Sequence, residues 1–187
     1  NVGARFNSGD NVMPDLTARY VAKGDWGHFS VAGLVRQFKY LDETDTGAAI
    51  SVSGKFNLGK SDDLRYAVNA GSGIGRYLAF GLGSDVVLDA NGDPNALDGY
   101  GGFVAWRHVF SPKVRTNLMY SAAMFDNDKA LTGFGVTERA QSLHANLIYS
   151  PFPKLDIGAE LIFGQRALED DREGDLRRIH TSVKYSF

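Results

Sequence analysis

The chain has 187 residues, a formal net charge of −2 and no cysteine. This length fits one domain, the near-neutral charge gives no general affinity for nucleic acid, and the lack of cysteine excludes disulfides and thiol chemistry. No apolar run approaches the roughly 18 residues that a membrane helix needs. Alternation with a period of two instead predicts ten β-strands and no helix, at about residues 1–6, 15–23, 28–40, 48–58, 64–78, 99–110, 114–125, 139–150, 155–168 and 176–187.

These strands and their connections are typical of an outer-membrane β-barrel. Most strands are longer than the five or six residues usual in soluble sheets. Short turns at 24–27, 59–63, 111–113 and 151–154 alternate with longer polar loops at 42–47, 79–98, 126–138 and 169–175. Outer-membrane barrels have short periplasmic turns and longer extracellular loops. The last strand alternates apolar and polar residues up to Phe187, and a closing aromatic residue is typical of this class.

The two faces of the predicted strands differ in chemistry. One face is apolar, with aromatic residues near the short turns, as at a membrane interface. The other face carries ten predicted pore-lining, anion-binding cations, with Asp156 and Glu160 as the acidic residues predicted beside them within strands. These cations are expected to be mostly unpaired, and desolvating so many unpaired charges is costly, so this face predicts a water-filled basic lumen. The ten residues are Arg5, Arg19, Arg36, Lys55, Arg65, Arg107, Arg115, Arg166, Arg178 and Lys184.

The other motifs favour loops and bent strands over chemistry. Residues 71–75 (Gly-Ser-Gly-Ile-Gly) lack the helix and spacing of a phosphate loop. Asp89, Asn91 and Asp93 start like a calcium loop, but Pro94 stands at the required glycine position. The acidic tip at 169–175 fits a solvated loop, with bridging to lipopolysaccharide through divalent cations as the alternative. The sequence predicts no catalytic residue, metal site or cofactor, and therefore no enzyme.

The end of the chain resembles the C-terminus of DcaP-like outer-membrane porins. The resemblance rests on residues 164–170 (Gly-Gln-Arg-Ala-Leu-Glu-Asp), 174–178 (Gly-Asp-Leu-Arg-Arg) and 183–187 (Val-Lys-Tyr-Ser-Phe), and residues 70–77 are similar to an internal segment of the family. It implies a trimeric, sixteen-stranded channel of Gram-negative outer membranes that passes small anionic solutes, dicarboxylates among them. Arg166 and Arg178 are the predicted lumen positions closest to the matching motif.

The fold class predicted from these observations is all-β, an antiparallel up-and-down transmembrane β-barrel. Residues 1–187 are expected to form a single barrel domain that is the C-terminal part of a larger porin. The inward-folded constriction loop is then expected outside this chain. The predicted partners are small anionic solutes, outer-membrane lipid and lipopolysaccharide, and two further copies in a homotrimer, but not nucleic acid. Two alternatives stay open, a soluble ligand-binding β-barrel and a ten-stranded outer-membrane protease.

Overall fold

A computed structural model describes residues 13–78 and 81–187, which form a large antiparallel sheet and a small hairpin. The strands are β1 (Leu16–Gly24), β2 (Gly27–Tyr40), β3 (Glu43–Leu58), β4 (Asp62–Ser72), β5 (Val86–Leu88), β6 (Pro94–Ala96), β7 (Asp98–Ser111), β8 (Val114–Asp126), β9 (Thr137–Tyr149), β10 (Leu155–Leu168) and β11 (Glu173–Tyr185). A 3₁₀ turn spans Gly75–Tyr77, and the helix α1 spans Lys129–Thr132. No helix of the described part is long and apolar enough to cross a membrane.

The large sheet is a meander of nine strands. Its order is β1-β2-β3-β4-β7-β8-β9-β10-β11, so each inner strand pairs with its two neighbours in this order, and β1 and β11 form the edges. The numbering is interrupted between β4 and β7, where residues 73–78 and 81–97, which include β5 and β6, lie outside the large sheet. The predicted all-β, up-and-down architecture is confirmed. The predicted first strand, at residues 1–6, lies outside the described residues.

Two predicted loops are instead tight turns. The expected loop 42–47 is wrong, because β3 begins at Glu43 and pairs with Tyr40 across a two-residue connection. The expected loop 169–175 is also too long, because β11 begins at Glu173. In both hairpins the strands continue beyond the apolar part of the outer face, and their polar residues, such as Thr44 and Thr46, stay in the ladder. Polarity marked the end of the apolar band there, not the end of the strand.

The register places the predicted apolar residues on one face of the sheet. On one row across β1 to β4, Tyr20 faces Val31, Val31 faces Val52, and Val52 faces Val68. Tyr20 and Val68 remain 69% and 57% exposed. Because directly paired residues share a face, this apolar face is continuous across the sheet. Burying it requires an apolar environment, and lipid supplies one.

Aromatic side chains line the apolar face near the short turns. Phe56 lies between Trp26 and Tyr66, with ring centroids 5.7 and 5.6 Å away. Phe110 packs against His108 with the ring centroids 4.6 Å apart, and Phe187 packs against Tyr185 at 5.6 Å. Aromatic rings at this height of a barrel are typical of the membrane interface, where they contact both hydrocarbon and head groups.

Candidate functional site

The predicted cations lie together on the face opposite the apolar one, which we call the inner face. Arg5 lies outside the described residues. The register of the paired strands places the other nine on the same side of the sheet. Their contact with permeating anions stays a prediction. These nine are Arg19, Arg36, Lys55, Arg65, Arg107, Arg115, Arg166, Arg178 and Lys184.

Asp63 joins two of these arginines near the short-turn end of the sheet. Arg65 Nε donates to Asp63 Oδ1 over 2.7 Å, and Arg107 Nη1 lies 3.4 Å from Asp63 Oδ2. Asp63 is only 7% exposed, whereas the Arg65 side chain is 47% exposed. The sequence analysis placed Asp63 in a turn, but β4 begins at Asp62. Asp63 and Arg65 are two residues apart, and residues with this spacing on a strand lie on the same face. The sequence was therefore sufficient to place both on one face.

Arg115 is paired with Asp156, one of the two predicted inner-face carboxylates. Arg115 Nη2 donates to Asp156 Oδ2 over 2.7 Å, and Arg115 Nη1 donates to Ser150 Oγ over 2.8 Å. The second carboxylate, Glu160, lies 3.4 Å from His144 Nδ1. The expectation that the inner-face cations are mostly unpaired is therefore wrong for Arg65, Arg107 and Arg115.

Other predicted cations keep their charge without a carboxylate partner among the described residues. Arg19 Nε donates to Ser30 Oγ over 2.7 Å, and Arg166 Nε donates to Thr137 Oγ1 over 2.9 Å. Lys55 and Arg178 form no ion pair in the described part of the chain. A hydroxyl partner orients a guanidinium but leaves its charge uncompensated. These side chains are the ones able to attract an anion.

Arg36 is not an open pore-lining residue, because it is 2% exposed beneath residues 73–78 and 81–97. Its Nη1 donates to the Gly73 carbonyl over 2.6 Å and lies 3.3 Å from Asp85 Oδ2. Its Nε lies 3.3 Å from Asp15 Oδ1, without hydrogen-bond geometry. The guanidinium carbon also lies 4.7 Å from the centre of the Phe38 ring. Arg36 thus anchors a loop, and its predicted role in lining an open pore is wrong.

Residues 73–78 and 81–97, which we call the inward loop, pack on the inner face. Ile74 and Leu78 are 2% and 3% exposed and contact Phe125 and Ala123 of β8, with Leu34 packed against the same cluster. Because Leu34 has the parity of Arg36, and Phe125 that of Arg115, the cluster lies on the face of the cations. This chain therefore contains an inward-packed loop of its own, and the expected position of the constriction loop outside the chain stays a prediction.

The inward loop is held by its own polar contacts as well. Arg76 Nε donates to Asp85 Oδ2 over 2.6 Å, and the Tyr77 hydroxyl donates to Asp15 Oδ2 over 2.6 Å. The bond to Asp15 is the largest cause that raises the pKa of Tyr77 above its ordinary value of 10.0. Asp89 Oδ1 accepts from the amide N–H groups of Asn91 and Asp93, which closes the β5–β6 hairpin. The calcium-like spacing at this place therefore forms a turn.

A second polar cluster ties together two loops at the same end of the sheet. The Asn127 amide donates to the Thr137 carbonyl over 2.8 Å and to Glu169 Oε1 over 2.9 Å, and Lys129 Nζ lies 2.8 Å from Glu169 Oε2. Burial alone would raise the pKa of Glu169, but the contacts with Lys129 and Asn127 outweigh it and the pKa lies below its ordinary value. This network also fixes Thr137, the partner of Arg166.

Among known proteins, an outer membrane channel has a closely similar structure. No family model and no curated protein matches the chain. The crystal structure of the outer membrane channel DcaP of Acinetobacter baumannii is similar over 95% of this chain, with a TM-score of 0.88 and 25% identity. The chain spans about half of that protein, 52% of its length. A NanC porin structure is similar over 92% of this chain and 93% of its own, with a TM-score of 0.49 and 11% identity.

The resemblance to DcaP-like porins, which the sequence motifs indicate, is confirmed at the level of the structure. The fold is that of a channel of the bacterial outer membrane, and the predicted outer-membrane location is confirmed. The apolar outer face and the polar, loop-filled inner face are the arrangement that such a location requires.

Proposed function

We propose that this chain forms part of a passive outer-membrane channel with a basic wall that favours small anionic solutes, dicarboxylates among them. The observation that carries the proposal is the segregation of charge. Nine predicted cations lie on the face opposite the apolar face, and the inward loop packs on their side. A face that carries uncompensated cations such as Lys55 needs water. The similarity to an outer membrane channel supports the same function.

The mechanism needs no conformational cycle. Fixed charges such as Lys55, Arg166 and Arg178 raise the local concentration of anions and lower that of cations. Arg65 and Arg107 share one carboxylate, so their cluster keeps a net positive charge. The inward loop brings passing solutes close to the wall by occupying part of the cross-section. A carboxylate that moves along this wall exchanges one charge-assisted contact for the next.

The larger assembly belongs to the same proposal. We treat residues 1–187 as one barrel domain that contributes the C-terminal part of a sixteen-stranded porin, present as a homotrimer in Gram-negative outer membranes. Its apolar face contacts outer-membrane lipid, and the loops beyond that face contact lipopolysaccharide. The wall acts by charge alone, so we propose no enzymatic activity.

The test is a reversal-potential measurement on the full-length protein in a planar bilayer with a gradient of potassium chloride. We expect a steady conductance. The reversal potential should be shifted from zero toward the equilibrium potential of chloride. Arg166→Gln should move the reversal potential toward zero, since it removes a charge that has no carboxylate partner. A wild-type channel with cation preference would contradict the proposal.

A further inference from the structure

A row of basic side chains crosses the first four strands of the inner face, close to the short turns. Lys23 of β1 pairs with His28 of β2, His28 pairs with Lys55 of β3, and Lys55 pairs with Arg65 of β4. We call these four residues the basic row. Lys23 and His28 flank the turn between β1 and β2, which places the row at the short-turn mouth of the sheet.

Lys55 and Arg65, which are directly paired on β3 and β4, repel each other when no anion is present. Directly opposed side chains on paired strands have Cβ atoms about 5 Å apart, and like charges there are destabilising. Lys55 faces Arg65 directly and forms no ion pair in the described part of the chain. Lys23 likewise has no carboxylate partner among the described residues. The row thus holds positive charge that the protein itself leaves uncompensated.

The nearest carboxylate does not neutralise the row. Asp63 lies on the neighbouring position of β4, where Arg65 and Arg107 share its two oxygens. Arg65 uses its Nε and one Nη2 hydrogen for Asp63, and a guanidinium has five N–H donors. Three donors of Arg65 remain for a ligand beside Lys55. The Ser53 hydroxyl lies two residues from Lys55 on the same face and adds a neutral donor.

We propose that the basic row is a binding station for a dicarboxylate dianion at the short-turn mouth of the channel. Adjacent strands are about 4.8 Å apart, so one carboxylate group reaches two neighbouring members of the row. Lys55 and Arg65 hold the first carboxylate, and the long, flexible side chain of Lys23 reaches across His28 to hold the second. A monocarboxylate engages only half of the row and binds more weakly. This inference rests on the proposed function, because it gives the basic wall one defined site.

The experiment measures block of the chloride current of the full-length channel by sodium succinate, with sodium acetate as the monocarboxylate probe. In the wild type, succinate should reduce the current at lower concentration than acetate, and more strongly from the side of the short turns. Lys55→Gln and Lys23→Gln should each raise the half-blocking succinate concentration about twofold to fivefold, as expected for losing a partly exposed charge contact. Lys55→Arg keeps the charge and should keep the block.

The matched control is Lys60→Gln, which removes an exposed lysine from the turn joining β3 and β4 without touching the row. It should leave the block by succinate near the wild-type value. If Lys60→Gln weakened the block by succinate as much as Lys55→Gln does, the proposed binding station would be refuted. A general electrostatic field at the mouth would then explain both effects. Unchanged block in Lys55→Gln and Lys23→Gln, with anion preference intact, would also overturn it and leave the proposed function standing. A wild-type channel without anion preference would remove the proposed function itself.

Discussion

Replacing Arg36 by methionine should release the inward loop from the wall. The guanidinium is 2% exposed and contacts the Gly73 carbonyl, Asp85 and Asp15, so three segments of the chain depend on it. Removing one partner of a buried ion pair costs about 3–5 kcal/mol. Asp85 keeps its contact with Arg76, and Asp15 keeps the Tyr77 hydroxyl, so the lower value applies. A loss of about 3 kcal/mol raises the population of the undocked loop about a hundredfold.

A single cysteine measures this population directly, because the chain contains none. Val87 of β5 is 2% exposed in the docked loop. A thiol at Val87→Cys should react with a maleimide only when the loop leaves the wall, so the labelling rate follows the undocked population. Combining Arg36→Met with Val87→Cys should raise this rate about a hundredfold. Single-channel recordings should show larger and noisier openings.

The matched control for this experiment is Arg19→Met on the neighbouring strand. Arg19 also lies on the inner face, but its contact is a single hydrogen bond to Ser30, away from the inward loop. It should leave the labelling rate of Val87→Cys unchanged. Equal labelling rates for Arg36→Met and the unchanged Arg36 background would refute the assignment of Arg36 as the anchor.

Three further predictions concern the loops and the charged wall. Gly73→Ala should also raise labelling at Val87→Cys, because Gly73 has φ = 71° and a Cβ there would lie 2.5 Å from the Phe38 ring; wild-type labelling would contradict this. Acid should loosen α1: the pKa of Glu169 is lowered, so its stabilisation is complete above the ordinary value of 4.5 and is lost as the pH falls through the folded value. The protection factor of the Thr132 amide, which corrects for the slower intrinsic exchange in acid, should therefore fall as the pH is lowered, and Glu169→Gln should abolish this pH dependence. Arg166→Gln should lower anion preference more than the double variant Arg115→Gln, Asp156→Asn, which removes a neutral pair; equal reversal potentials would show that paired charges count as much as unpaired ones.

The period of two predicted the faces of the sheet because it is a local property of extended backbone. Arg19 and Lys55 could be assigned to one side from their parity within each strand, and the pairings agree. Parity also holds for Asp63, which was missed because the start of β4 was placed two residues too late. Strand ends depend on where pairing stops, and polarity is a poor guide to that position.

The state of each charged side chain could not be predicted in the same way. Arg36 and Arg19 look alike in the sequence, but Arg36 is buried by Gly73 and Asp85, which lie 37 and 49 residues further along the chain. Such contacts depend on how a loop folds back, and no period encodes them. One signal was present, the apolar run Val86–Leu88 inside a predicted polar loop. An apolar run in a loop has to be buried somewhere, and the inner face is where it is buried.

The meander order has a consequence for how such channels change during evolution. Every pairing in the nine-stranded sheet joins strands that follow each other in the sequence, apart from the inward loop between β4 and β7. A hairpin can therefore be duplicated or deleted without altering the register of any other pair. Because barrel diameter grows roughly linearly with strand number, each such event changes the width of the pore in a fixed step. Gene-level gain or loss of one hairpin is thus a route by which pore size can drift while the charged wall on the remaining strands is inherited intact.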